Sequence, residues 1–165
     1  MGKNPYSGLP KSAFWKTGVA QENPYEMKDI YEKKFEIGVD TKIATAGSCF
    51  AQHISHHLKK NGYNVLDVEP PPEKLPENLH QKHGFSMYSA RYGNIYTVRQ
   101  LLQLAQEAAG EWTPQHYIWE KSGKFYDALR PRVEPEGLDS PEKVIEHRRY
   151  HVARVRELFE SLDLF

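Results

Sequence analysis

The sequence predicts an α/β fold with a parallel sheet, and three observations predict it. Short apolar runs alternate with stretches of helical period, in the order strand, helix, strand, long loop, helix, hairpin, helix. The first strand meets its helix at a Gly-Ser pair, Gly47-Ser48. A single two-residue turn signal, Ser122-Gly123, marks a β-hairpin inserted between the helical segments.

The elements follow from the residues. Residues 1–40 read as an irregular N-terminal arm, rich in Gly and Pro, with Phe14, Trp15 and Tyr25 as expected anchors. The segment DTKIATAGS, residues 40–48, is a short apolar strand bounded by Gly47. From Cys49 to Asn61 the period is helical, and Phe50, Ile54 and Leu58 recur on one face. Lys59 and Lys60 suit its last turn, and Asn61-Gly62 ends it. YNVLDVEP, residues 63–70, alternates as a second strand, and the proline-rich PPPEKLPENLHQKHG is a loop. Residues 95–109 form a helix whose apolar face is Val98, Leu101, Leu102, Leu104 and Ala105, ended by Gly110. HYIWEKSGKFYDAL is the hairpin. Ser140 caps a last helix with Pro141 in its first position, carrying Ile145, Val152, Val155, Phe159 and Leu162 at three/four spacing. Leu162, Leu164 and Phe165 read as the opening of a further buried strand, so the domain over residues 41–165 is expected to be the N-terminal part of a longer, incomplete sheet. An open sheet edge of that kind favours self-association.

Composition bounds the function. With 165 residues the chain makes one domain with a core. Lys plus Arg and Asp plus Glu both number 22, so the basic excess of a nucleic-acid binder is missing. The N-terminus has no apolar signal region, and no run approaches a membrane span. The single cysteine, Cys49, forms no internal disulfide. A cytoplasmic protein without nucleic-acid or membrane partners is the expectation.

Ser48 carries the chemistry. In open α/β sheets ligands sit beyond the carboxyl ends of strands, where the next helix begins. There a serine hydroxyl lies beside unpaired backbone N–H groups and the positive end of the helix dipole, which stabilise an oxyanion. The competing reading is structural: serine is a preferred helix N-cap. Cys49 is the alternative nucleophile, although a cysteine opening an apolar helical face is more often a small buried side chain. His53 and His57 stand one helical turn apart but find no third ligand, so no metal or other cofactor is expected. His147 and His151 are a second such pair, read as a polar helix face.

The pentapeptide Gly47-Ser48-Cys49-Phe50-Ala51 resembles the signature of the GSCFA domain family, which is similar to the SGNH (GDSL-like) esterases and lipases. ARYGNIYTVRQLLQL (residues 90–104) and YDALRP (residues 126–131) resemble later parts of the same domain. The resemblance implies a flavodoxin-like α/β/α sandwich and an esterase acting on a small-molecule or carbohydrate acyl ester. Ser48 matches the nucleophile. Gly93, expected to open the helix of residues 95–109, matches a glycine whose N–H joins that of Ser48 in the oxyanion hole, and Asn94 adds a side-chain donor. Arg91 and Arg130 are candidates for binding an anionic substrate group. SGNH enzymes take their base and its orienter from an Asp-x-x-His segment, and this sequence contains none. The expectation is therefore a hydrolase truncated before its acid–base residues, or else a non-catalytic GSCFA-type domain acting as a binding or assembly module.

Overall fold

The computed structural model describes residues 4–28 and 30–165; the part of the arm that contains Gly2, and Asp29, lie outside the described residues. The chain divides into two compact units, residues 1–37 and 38–165. In the first, a 3-10 turn at Lys11–Ala13 and a π-helical turn at Lys16–Ala20 follow one another, and the Gly18 N–H donates to Phe14 O at 2.8 Å. Phe14, Trp15 and Tyr25 are exposed.

The second unit contains α1 (Cys49–Lys60), α2 (Glu77–His80), α3 (Val98–Ala109), the strands β1 (Ile118–Lys121) and β2 (Lys124–Asp127), and α4 (Pro141–Ser161). The element order matches the sequence reading, and the fold mixes helix and strand. The two expected strands before and after α1 are each reduced to a bridge. Ile43 pairs in parallel with Val65 on one side and with Leu164 on the other. The Ile43 N–H donates to Asn64 O, the Leu66 N–H to Ile43 O, and the Ala44 N–H to Leu164 O. The ladder stops one residue later because residue Ser89 comes between. Its Oγ accepts from the Thr45 N–H at 2.9 Å, its own N–H donates to Thr45 O, and its carbonyl accepts from the Val68 N–H. A strand whose next N–H is taken by a side chain cannot extend its ladder.

The hairpin forms as expected, with Ile118 opposite Asp127 and Lys121 opposite Lys124. Ser122 and Gly123 both have positive φ, the geometry that lets a two-residue turn match the strand twist. An added bridge between Phe125 and Leu138 ties down the loop that follows. The proline-rich segment is not bare loop: α2 and a 3-10 turn at Gln81–His83 lie within it, closed by Gly84 in the left-handed region. The helix expected over residues 95–109 begins at Val98, because the Thr97 side chain caps it by accepting from the Gln100 N–H.

Three expected apolar faces are corrected. On α1, Phe50 is 72% exposed and Ile54 is also exposed, and the buried side chain is Ser55. On α3, Val98 and Leu102 are exposed; Leu101 and Leu104 pack on the core, and Ala108 lies within it. On α4 the buried residues are Val144, Arg148, His151, Val155 and Leu158; of the expected stripe Val155 is buried and Val152, Phe159 and Leu162 pack against the core, while Ile145 is exposed. The residue that displaced the apolar reading is a charged one. Arg148 sits on the inward face because carboxylates wait for it there, described below. The core gathers Ala44, Tyr88, Ala90, Tyr92, Ile95, Ala108, Val155 and Leu158.

This arrangement fixes a mutational contrast. Leu158→Ala removes a fully buried side chain and is expected to cost about 2–5 kcal/mol in denaturant unfolding. Phe50→Ala, on the outward face of α1, is expected to change stability by no more than about 0.5 kcal/mol. Equal losses at the two positions would contradict the assigned faces.

Candidate active site

Ser48 lies at the joint between the Ile43 segment and α1, as the sequence predicts, in extended conformation at the N-cap position. Its side chain makes no capping hydrogen bond. Thr97 and Ser140, at the same position on α3 and α4, both accept from a backbone N–H three residues on. The hydroxyl of Ser48 is thus left uncommitted where two comparable residues are engaged. Gly47 makes the turn possible: its φ of +148° suits glycine, and a Cβ there would stand 2.7 Å from that of Ala51. Its carbonyl accepts from the Ile95 N–H at 2.9 Å, which brings the Tyr92–Tyr96 loop against the start of α1.

Tyr88 makes the second tie. Its hydroxyl lies 2.8 Å from Ser48 O and 2.7 Å from Asn94 Oδ1, and accepts from Gln52 Nε2. One phenolic proton therefore serves two acceptors, the backbone of Ser48 and the side chain of Asn94. Asn94 in turn donates to Tyr96 Oη and accepts on its backbone from Gln100 Nε2. Gly93 does not open a helix. It lies four residues before the cap of α3, in the left-handed region with φ of +70°. Among the described residues, neither the Ser48 nor the Gly93 backbone N–H finds an acceptor. Gly93 and Asn94 line a cleft of about 820 Å³ together with Cys49 and Gln52 from α1. Cys49 is exposed rather than buried, contrary to the small-hydrophobe reading.

The two candidate substrate-binding arginines are engaged within the protein. Arg91 donates to His83 O, Val133 O and Glu134 Oε1, and its guanidinium lies 3.7 Å over the Phe85 ring. Arg130 is buried and donates to Asp127 Oδ2, Arg91 O and His147 O. His53, His56 and His57 are exposed on α1. Among the described residues, no group of three or more His, Cys, Asp or Glu side chains is placed to hold a metal ion.

Sequence reasoning missed the densest polar cluster. His151, expected on a polar face, is only 1% exposed, and its Nδ1 stands 2.7 Å from Glu69 Oε2. The same carboxylate oxygen accepts from the Arg91 N–H. Burial pushes the Glu69 carboxyl up, but the hydrogen bond from His151, the Arg130 charge and the Arg91 N–H outweigh it and hold the group below its usual range. An ionised carboxylate only accepts, so His151 Nδ1 carries the hydrogen. Burial and the neighbouring Arg130 hold the imidazole neutral, its pKa pushed down to about 4 against the pull of Glu69. Beside it, Arg148 binds Glu107 and Asp127. Burial also pushes Asp127 up, and Arg130 and Arg148 more than reverse it. The only sequence signal was position. Val144, Arg148, His151, Val155 and Leu158 share one face of α4, and two of them are polar.

The family model of the GSCFA family matches residues 42–165. The chain belongs to the GSCFA family. Its match begins just before Ile43 and takes in Ser48, the Tyr92–Tyr96 loop, the hairpin and α4, so every residue of the cleft and of the buried cluster lies inside the family's extent. No curated protein and no solved structure matches the chain. No helix among the described residues is long and apolar enough to cross a membrane.

The buried imidazole sets a pH dependence. In the unfolded chain a histidine titrates near pH 6.5, and folded His151 titrates near 4. Between these values the unfolded state binds the extra proton, so stability falls as pH falls. A loss of about 1.4 kcal/mol per pH unit is expected from pH 6.5 towards 4. Denaturant unfolding at several pH values reads it; a flat profile over that window would contradict a neutral buried His151.

Proposed function

We propose that this GSCFA-family domain carries the nucleophile of an SGNH-like acyl-ester hydrolase, with Ser48 attacking the ester carbonyl. The observation that carries the reading is the uncommitted Ser48 hydroxyl at the start of α1, where the other Ser and Thr caps are engaged. The flavodoxin-like sandwich proposed with it is supported by the two parallel bridges that flank Ile43.

In this reading Ser48 Oγ bonds to the carbonyl carbon and the carbonyl oxygen takes the negative charge. The free N–H groups of Ser48 and Gly93 are the donors suited to that charge, and Asn94 adds its amide; Gly93 and Asn94 line the cleft with Cys49, the neighbour of Ser48, and not with Ser48 itself. Collapse of the tetrahedral species expels the alcohol, and water then releases the acid from the acyl-serine. The Oγ proton passes to a base and from it to the leaving alcohol. No described histidine or carboxylate hydrogen-bonds Ser48, so the described residues supply the nucleophile and the donors but not the base. Arg91 and Arg130 brace the loop and hairpin through neighbouring carbonyls and carboxylates, and Arg130 also lines the cleft. A carbohydrate O-acyl group is the substrate class in view, by analogy with the related esterases.

The second reading is a non-catalytic binding or assembly module. It is favoured by the apolar side chains that α1 and α3 leave uncovered, Phe50, Ile54, Val98 and Leu102.

Hydrolysis of short p-nitrophenyl esters separates the two. A serine without a bound base turns over slowly, because only the oxyanion donors and binding then act. Slow hydrolysis that disappears in Ser48→Ala and persists in Cys49→Ala is the expected result. Equal rates for the native chain and Ser48→Ala would overturn the hydrolase reading. Loss in Cys49→Ala instead would move the nucleophile by one residue.

A further inference from the structure

A second cavity, of about 70 Å³, lies against His151. Its lining includes the apolar Ile95, Leu104 and Trp112 together with Arg130, Arg148, His151 and Glu107, the last already paired with Arg148. It adjoins the large cleft through Tyr92, Gln100, Leu129 and Arg130, which line both. The volume suits a few waters or one small molecule of several heavy atoms.

Three features of the polar wall define what fits. His151 Nδ1 is fixed by Glu69, and Nε2 hydrogen-bonds no described residue. With the hydrogen on Nδ1, Nε2 keeps an unpaired lone pair in a residue that lines the cavity. Arg130 spends one hydrogen of each terminal nitrogen on Arg91 O and His147 O, so each keeps a second one. Arg148 is fully matched by Glu107 and Asp127 apart from one hydrogen on its second terminal nitrogen. A ligand suited to this wall offers a hydroxyl hydrogen to Nε2 and an oxygen to a guanidinium, with a short apolar tail for Ile95, Leu104 and Trp112.

We propose that this cavity binds a short-chain carboxylic acid together with one proton, which the ligand carboxyl shares with His151 Nε2. A carboxylate alone would place its lone pairs against that of a neutral imidazole, so the proton must arrive with it. The surroundings admit that proton. The groups next to His151 are Glu69 and Tyr92 from the loops, Arg130 from the turn after β2 and Arg148 from α4 itself; Glu107 from α3 lines the same cavity, and Asp127 joins the cluster through Arg130 and Arg148. With Arg91 and its partner Glu134 the cluster holds three guanidiniums and four carboxylates, and a carboxylate that arrives with its own proton leaves that balance unchanged. The site differs from the Ser48 reading in place and in chemistry, and it stands or falls without it.

Sodium propionate is the probe, with the whole 165-residue chain. Titration calorimetry in two buffers of different ionisation enthalpy counts the protons taken up. The expected result is saturable one-to-one binding in about the millimolar range, as suits a ligand of so few atoms. About one proton is taken up per propionate at neutral pH, so affinity falls about tenfold per pH unit from pH 6 to 8. Ser48→Ala binds propionate as the native chain does, which separates this site from the ester reading. His151→Gln loses at least about tenfold in affinity, given that one wall contact and the proton site both go. Should that variant misfold, nitrogen NMR of the native chain still decides: the His151 Nε2 resonance moves from the unprotonated to the protonated region on saturation. Binding without proton uptake, binding independent of pH, an unmoved Nε2 resonance, or no saturation at all would each overturn the proposal.

Discussion

The hydrogen bond between Glu69 and His151 is the constraint on which the rest of the domain depends. Glu69 follows the second bridge of the parallel segments, and His151 lies in the middle of α4. Their contact draws α4 across the Tyr92 loop, since Glu69 also receives the Arg91 N–H and His151 packs edge-on to Tyr92. The same approach sets Arg148 one turn away, between Glu107 on α3 and Asp127 at the end of β2. A buried carboxylate, an imidazole and two guanidiniums are costly to desolvate, and they persist because each finds a partner of matching geometry. Removing one partner would strand the others, which makes the cluster a device for specifying one packing rather than a simple source of stability.

Much of the domain was legible in the sequence, and the limits are physical. The positions of α1, α3 and α4, the hairpin at Ser122-Gly123, the cap Ser140 and the helix end at Gly110 follow local rules, and local rules are what a sequence displays. The faces of the helices did not, because an apolar period cannot say which stripe is covered. Phe50 and Ile54 form a good stripe and face outward, while Ser55 is buried. The strands were placed correctly but overextended, since nothing around residue 45 announces that the Ser89 side chain will take the Thr45 N–H.

The site divides in the same way. Ser48 could be found because glycine, serine and a helix start lie side by side, and Gly93 and Asn94 share a cleft with its neighbour Cys49. The expectation that Gly93 opens a helix failed, because the cap lies at Thr97 and the glycine serves a left-handed loop position. The ties of Arg91 and Arg130 to the protein itself were not legible for another reason. Arginines in loops look solvated in a sequence, and only the approach of Glu134, Asp127 and several carbonyls turns them inward. His151 was invisible because its partner lies 82 residues away.

That separation bears on how the chain is made. Synthesis runs from the N-terminus, and domains generally consolidate as their parts emerge. Here Ile43 gains its neighbour Leu164, Glu69 gains His151, and Asp127 gains Arg148 only once α4 and the residues after it have been made. Contacts so distant along the chain close late, after the entropy of the intervening loop has been spent. While it is still attached to the ribosome, the nascent polypeptide therefore carries Glu69 and Asp127 as hydrated carboxylates and an apolar surface around Tyr88 and Ala90 that α4 does not yet cover. Release of α4 both neutralises and covers that surface, so it is most exposed before α4 has been translated.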